Sequence, residues 1–149
     1  MIVIRHKIGA YDDTRPQSGL YVDRHILNKT RWRGVAEDGT EFGFDLEAPL
    51  KHGDAFFETD SAVFLVYQKP EQILEVGGAA SWTESAKLAW SIGNLHLPAE
   101  FRPDGLRMPD EPALRAVLDK MSLKYKCLDA VFQPQGGNGH THHEDHAYD

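Results

Sequence analysis

Over residues 1 to about 69, apolar and polar positions fall at the period of two that marks strands, with turn residues at short intervals and no helical period between them. The clearest segment is Val35–Phe44. Its Asp38-Gly39 reads as a two-residue hairpin turn, because glycine accepts positive φ and aspartate tolerates it. That register sets Val35 across from Phe42 and lines Phe42, Phe44 and Leu46 along one face. A second break, Lys51-His52-Gly53-Asp54, precedes Ala55-Phe56-Phe57-Glu58. After Asp60-Ser61 the run Ala62–Tyr67 is apolar throughout, as a strand covered on both faces would be. Residues 1–69 therefore predict a small all-β domain.

Lys69-Pro70 marks a boundary, beyond which the pattern becomes strand, helix, strand, strand, helix, strand. Gln72–Val76 is a short strand ended by Gly77-Gly78. Ser81 or Thr83 can cap the helix that follows, with Glu84 placed three residues after Ser81 for a capping box. Leu88, Ile92 and Leu95 share a helical stripe that Trp90 and Ala86 widen. Gly93-Asn94 is suited to the left-handed turn that closes a helix, and His96 follows at once. Leu97–Phe101 runs extended into the turn Pro103-Asp104-Gly105, and Leu106–Met108 returns until Pro109 stops it. Asp110 can cap a second helix bearing Leu114, Val117, Leu118 and Met121, and Lys124–Phe132 reads as a last strand with Cys127 as a small core residue.

The order βαββαβ over 70–133 predicts a ferredoxin-like domain, two helices on one face of a four-stranded antiparallel sheet. From Pro134 the composition shifts to Gln135-Gly136-Gly137-Asn138-Gly139, too poor in apolar mass to fold. The fold class is thus α+β, with a small all-β domain, a ferredoxin-like domain and a flexible His-rich C-terminal tail over 134–149.

The totals, 41% hydrophobic, 26% charged and a net charge of −7, describe an ordinary soluble chain and argue against nucleic acid as a partner, since no basic stripe is present. One cysteine excludes an intramolecular disulfide. The apolar runs are too short for a signal peptide or a membrane span, so a cytoplasmic setting without membrane contact is expected.

The remaining chemistry lies in the histidines. His140-Thr141-His142-His143-Glu144-Asp145-His146 packs four imidazoles and two carboxylates behind a glycine-rich leash, a composition suited to metal. The interruptions, and the Ala147-Tyr148-Asp149 that follows, separate it from a purification tag. Imidazole suits nickel, copper and zinc alike. His96 sits near the partly negative end of a helix, where a cation is favoured. From Gln133 to His142 the chain reaches at most ~30 Å, enough to bring tail ligands to a domain of radius of gyration ~11 Å. A twofold axis near His96 would bring two such rings together, with tail histidines completing the coordination. His6, His25 and His52 read as surface or structural residues. The chain has neither HExxH nor HxE…CxxC, so a metal-dependent hydrolase is not expected.

The Asp-Gly hairpin, the Leu50…Gly53-Asp54 turn, Gly93-Asn94-Leu95-His96, and the Phe132…Pro134…Gly136 lead into a histidine-rich tail together resemble the urease accessory protein E family, the nickel metallochaperones of urease maturation. The resemblance covers the whole chain. It implies a non-enzymatic carrier of Ni(II) as cargo, with Zn(II) or Cu(II) able to occupy the same site. The ligands would be His96 of both subunits of a homodimer, and His140, His142, His143 and His146. It also implies a β-domain resembling a peptide-binding module, and partnership with the urease accessory GTPase and the urease pre-activation complex. Some members carry extra histidines between the third strand and second helix, where this chain has Met108-Pro109-Asp110-Glu111-Pro112. The alternative is a general divalent-metal binding or storage adaptor that docks a partner peptide through its β-domain.

Overall fold

The structure, a computed structural model, describes residues 1–11, 14–77 and 81–134. The fold is mixed α and β and divides into two compact units, Met1–Pro70 and Glu71–Asp149.

The first unit contains β1 (Ile2–Ile4), β2 (Gln17–Val22), α1 (Arg24–Leu27), β3 (Arg31–Val35), β4 (Glu41–Asp45), β5 (Ala55–Glu58) and β6 (Val63–Gln68). These strands form two three-stranded sheets, β1-β4-β3 and β2-β6-β5. One core joins them. Ile4, Trp32, Phe42 and Phe44 come from the first sheet, and Leu20, Val22, Phe56, Phe64 and Val66 from the second. On β6 the residues Val63, Phe64, Leu65 and Val66 are all buried. Alternate members face the main core, while Val63 and Leu65 pack with Ala55 under Ile8, Tyr11 and Tyr67. That two-sided cover is why the strand carries no polar alternation.

The hairpin differs from the expected one. Gly34, not Val35, lies across from Phe42, and Val35 pairs with Glu41 and is exposed. The loop holds three residues, Glu37-Asp38-Gly39, closed by Ala36 N–H donating to the Thr40 carbonyl at 2.9 Å, with Gly39 at φ +87°. The type I′ turn that Asp-Gly favours would need positive φ at both centres, whereas the three-residue form asks it of one glycine. The additional residue is used. The Glu37 N–H donates to the Gly19 carbonyl at 2.8 Å, and the Gly19 N–H donates back to Glu37 Oε2 at 3.0 Å. Gly34 also leaves room for Leu20, whose Cδ2 would lie 3.0 Å from a Cβ there. A second departure is α1, a single helical turn too short to impose a period on the sequence.

The second unit contains β7 (Glu71–Gly77), α2 (Trp82–Asn94), β8 (Glu100–Arg102), β9 (Gly105–Pro109), α3 (Pro112–Lys120) and β10 (Lys126–Ala130). Its strands form an antiparallel sheet in the order β10-β7-β9-β8. Leu74, Val76 and Met108 on one face meet Leu88 and Ile92 of α2 and Leu114 and Leu118 of α3. Each such side chain fully removed from water contributes ~1.5–3 kcal/mol. Ser81 starts α2, its Oγ accepting the Glu84 N–H at 3.1 Å.

Three expectations are corrected here. Trp90 and Ala86 do not widen the buried stripe of α2, and Leu95, its C-cap, is exposed rather than part of it. Trp90 is 69% exposed, Ala86 is exposed, and only Leu88 and Ile92 are buried. Asp110 does not cap α3, whose N-cap is Glu111 with Pro112 in the first turn. Its carboxylate instead takes two hydrogen bonds from Arg115, at 2.6 and 2.8 Å. Cys127 is exposed on β10 rather than in the core, with the Arg115 Nη2 3.2 Å from its Sγ.

The opposite, helix-free face of this sheet carries a row of charges. Lys126 pairs in register with Glu75, Glu75 with Arg107, and Arg107 with Glu100, so sign alternates across four strands. Arg107 Nε donates to Glu75 Oε2 at 2.7 Å and its Nη1 lies 3.7 Å from Glu100 Oε2. No helix among the described residues is long and apolar enough to cross a membrane.

Candidate metal centre

The α2 helix runs through Gly93 and Asn94 and is capped by Leu95 in the right-handed helical region. The left-handed residue is His96 itself, at φ +57°. Its N–H donates to the Gly93 carbonyl at 3.0 Å, one of the bonds of a Schellman closure. The α3 helix ends in the fuller form of the same motif. There Ser122 stands at φ +55°, its N–H bonds the Asp119 carbonyl, and the Leu123 N–H bonds the Leu118 carbonyl. Left-handed geometry costs a residue bearing Cβ about 1–2 kcal/mol, which is why glycine usually holds such positions. Placing histidine there puts an exposed imidazole at the negative pole of α2, whose last turn contains no basic residue.

Among the described residues no group of three or more His, Cys, Asp or Glu side chains could hold a metal ion. His96 therefore offers one ligand, and the rest of a coordination shell must come from elsewhere. His140, His142, His143 and His146 lie outside the described residues. His6, His25 and His52 belong to the first unit and are exposed. His52 is committed: its Nδ1 accepts the Gln68 N–H at 3.0 Å, which in the neutral ring leaves the proton on Nε2.

Between β9 and α3 stands Asp110, paired with Arg115 of α3. Hydrogen bonds from Arg115 hold the Asp110 carboxyl below the usual carboxylate range against the opposing effect of burial, and the Arg115 charge lowers it further. A pairing at this spacing was not legible in the sequence, since Asp110 reads equally well as a helix cap. Its sign is definite. A lowered folded-state pKa gives stability that is present above the unfolded value of ~3.9 and is lost as pH falls through the folded value. Arg115→Gln should raise the Asp110 midpoint, read from the side-chain carboxyl carbon by NMR titration; an unmoved midpoint would show the pair to be inert.

Comparison with known proteins bears on this arrangement. Residues 71–149 match the family model described as the UreE urease accessory protein, C-terminal domain. The match begins where the second unit begins. The chain is 35% identical to the urease accessory protein UreE of Beijerinckia indica subsp. indica over 131 residues, covering 84% of this chain and 74% of that protein. It is 33% identical to the protein of the same name from Chelativorans sp. strain BNC1, covering 87% of each. With the UreE of Pseudomonas fluorescens strain Pf0-1 it shares 29% over 97% of this chain and 90% of that one. The chain belongs to the UreE urease accessory protein family. UreE membership makes it a urease accessory protein and not an enzyme. It also extends beyond the second unit, because these UreE relatives align with most of the chain.

Proposed function

We propose that this chain is a nickel metallochaperone that delivers Ni(II) for assembly of the urease metallocentre, acting as a cytoplasmic homodimer. In this reading residues 1–69 are a peptide-binding-like β-domain. Residues 70–133 are a ferredoxin-like metal-binding and dimerisation domain, a reading supported by its element order and by the strand order β10-β7-β9-β8. Residues 134–149 contribute His140, His142, His143 and His146. The observation that carries the proposal is His96: exposed, held at positive φ, set at a helix end that favours a cation, and short of partner ligands among the described residues. A shell completed by a second His96 and by tail imidazoles holds metal by ligands that can leave one at a time, which suits a carrier better than a permanent site. The urease accessory GTPase and the urease pre-activation complex are the proposed recipients.

A second copy has a surface to use. Trp82, Ala86 and Trp90 recur every four residues along the exposed side of the helix that ends at His96, with Trp82 84% and Trp90 69% exposed. Exposed large aromatic residues at such spacing are typical of interface anchors. The test measures oligomeric mass and bound nickel together, on the full chain, on a chain ending at Pro134, and on Trp90→Asp. The full chain should be a dimer. The shortened chain should remain a dimer with fewer ions, and Trp90→Asp should be monomeric with its first nickel site lost. A monomeric full chain, or Trp90→Asp retaining that site, would overturn the shared-site reading. Zinc bound as tightly as nickel, with no transfer to urease, would favour the storage adaptor.

A further inference from the structure

The helix-free face of the second unit's sheet is hollowed at one end. Gly77 on β7 and Gly105 on β9 are register partners, and Arg102 on β8 is the next partner in the same row. Two adjacent glycines in the two central strands strip the middle of that row of side chains, and a cavity of about 580 Å³ lies over them. The two differ in kind. A Cβ on Gly105 would lie 2.0 Å from the Val76 carbonyl oxygen, so that residue is fixed by the sheet itself. A Cβ on Gly77 would meet nothing within 4 Å, and no positive φ demands glycine there. Glycine within a strand commonly marks close approach by a ligand or another backbone.

The lining is mixed, with Val76, Leu123 and Tyr125 beside charged residues, among which cations are the more numerous. Arg102 stands on one side, and Lys126 with Lys124 two residues before it stands on the other. Glu75 also lines it, but Arg107 already engages that carboxylate at 2.7 Å. Arg102 lies 3.7 Å from Glu100, while Lys124 and Lys126 make no ion pair among the described residues. Asp104 is the remaining acid on the rim. Three cations, two of them lysines without an ion pair among the described residues, thus share the lining with two carboxylates, Glu75 held by Arg107 and Asp104, in a chain whose net charge is −7. A concave site whose cations outnumber its carboxylates favours anions. Its volume falls within the ~300–1,000 Å³ common for small-ligand pockets.

We propose that this hollow binds a small organic anion bearing two or more oxyanion groups, its charges meeting Arg102 on one wall and Lys124 and Lys126 on the other. The site is independent of the nickel reading and uses none of its histidines. The test is calorimetry on the full chain, stripped of metal because the probes chelate, at about pH 8, where imidazoles with a reference pKa of ~6.5 are neutral. The probes are citrate and pyrophosphate, with acetate at matched ionic strength and an acetylated tetraglutamate peptide as comparisons. Citrate or pyrophosphate should bind saturably while acetate does not, and the preferred probe identifies the source as carboxylate or phosphate. Lys124→Ala with Lys126→Ala should weaken that binding at least tenfold. Gly77→Phe, which fills the hollow and leaves its charges in place, should do the same. The lysines are exposed, so the double variant carries the test even if Gly77→Phe fails to fold. No saturable binding, binding indifferent to the lysine variant, or binding of the tetraglutamate peptide alone would overturn the proposal.

Discussion

His96→Gly should yield a protein that is more stable and unable to hold its first nickel ion. Glycine takes φ +57° without the Cβ clash that histidine bears, so the closure of α2 should strengthen by about 1 kcal/mol. The same substitution removes the one imidazole at the negative end of that helix. Loss of even an outer-shell partner lowers metal affinity about 10–100-fold, so loss of a direct ligand should weaken the first site by on the order of 100-fold or more. His96→Ala completes the argument. It loses the ligand equally but keeps a Cβ at positive φ, so it should bind as poorly without the gain in stability. Calorimetric nickel titration and thermal unfolding of the three proteins read the two effects separately. Undiminished first-site affinity in either variant would remove His96 from the site. A glycine variant no more stable than wild type would show that the turn is not strained.

Phe42→Ala should produce the largest loss of stability of any single truncation in the first unit. Phe42 is fully buried, and its ring meets Phe56, Phe57 and Phe64 edge-on at centroid distances of 4.9, 5.5 and 5.2 Å. Truncating such a ring costs about 3–5 kcal/mol through lost transfer energy and the cavity it leaves. Edge-to-face pairs of this kind add ~0.5–1.5 kcal/mol each, though not additively. A unit of this size holds only ~0.05–0.15 kcal/mol per residue, so the variant should sit near its unfolding midpoint. Amide hydrogen exchange localised by mass spectrometry should show β4 and β6 losing protection while β7 and β9 keep theirs. Nickel titration should be unchanged, because His96 lies in the other unit. Uniform loss of protection along the whole chain would mean that the units do not unfold separately.

The sequence was most legible where one physical demand dominated a segment. Two-sided burial wrote the unbroken apolar run of β6, Ser81 met the need for an N-cap, and the change of period after Lys69-Pro70 located the switch from strands to mixed structure. It misled where two residues could meet the same demand. Gly93 and Asn94 are better suited than histidine to a left-handed turn, but α2 carries both within its final turn and leaves the reversal to His96. Asp38-Gly39 signalled a hairpin but not its loop length, which depends on Glu37 finding Gly19 on a distant strand. Trp90 fell within a generous helical stripe, yet the buried arc of α2 is only as wide as Leu88 and Ile92. As for the candidate site, the sequence identified His96 as a residue of interest, whereas its strain and its shortage of nearby ligands are properties of the folded chain.

The alternating row Lys126–Glu75–Arg107–Glu100 has a bearing on how the second sheet finds its alignment. On the helix side, Leu74, Val76 and Met108 are interchangeable enough that sliding one strand by two residues would still bury apolar surface. On the other side, sliding the central strand β7 by two residues would set Ile73 or Gly77 opposite Arg107 in place of Glu75, breaking that ion pair and leaving Lys126 without an acidic register neighbour. The charges thus work like the teeth of a key, penalising misaligned pairings that greasy contacts alone would tolerate, whatever their modest share in the stability of the finished sheet.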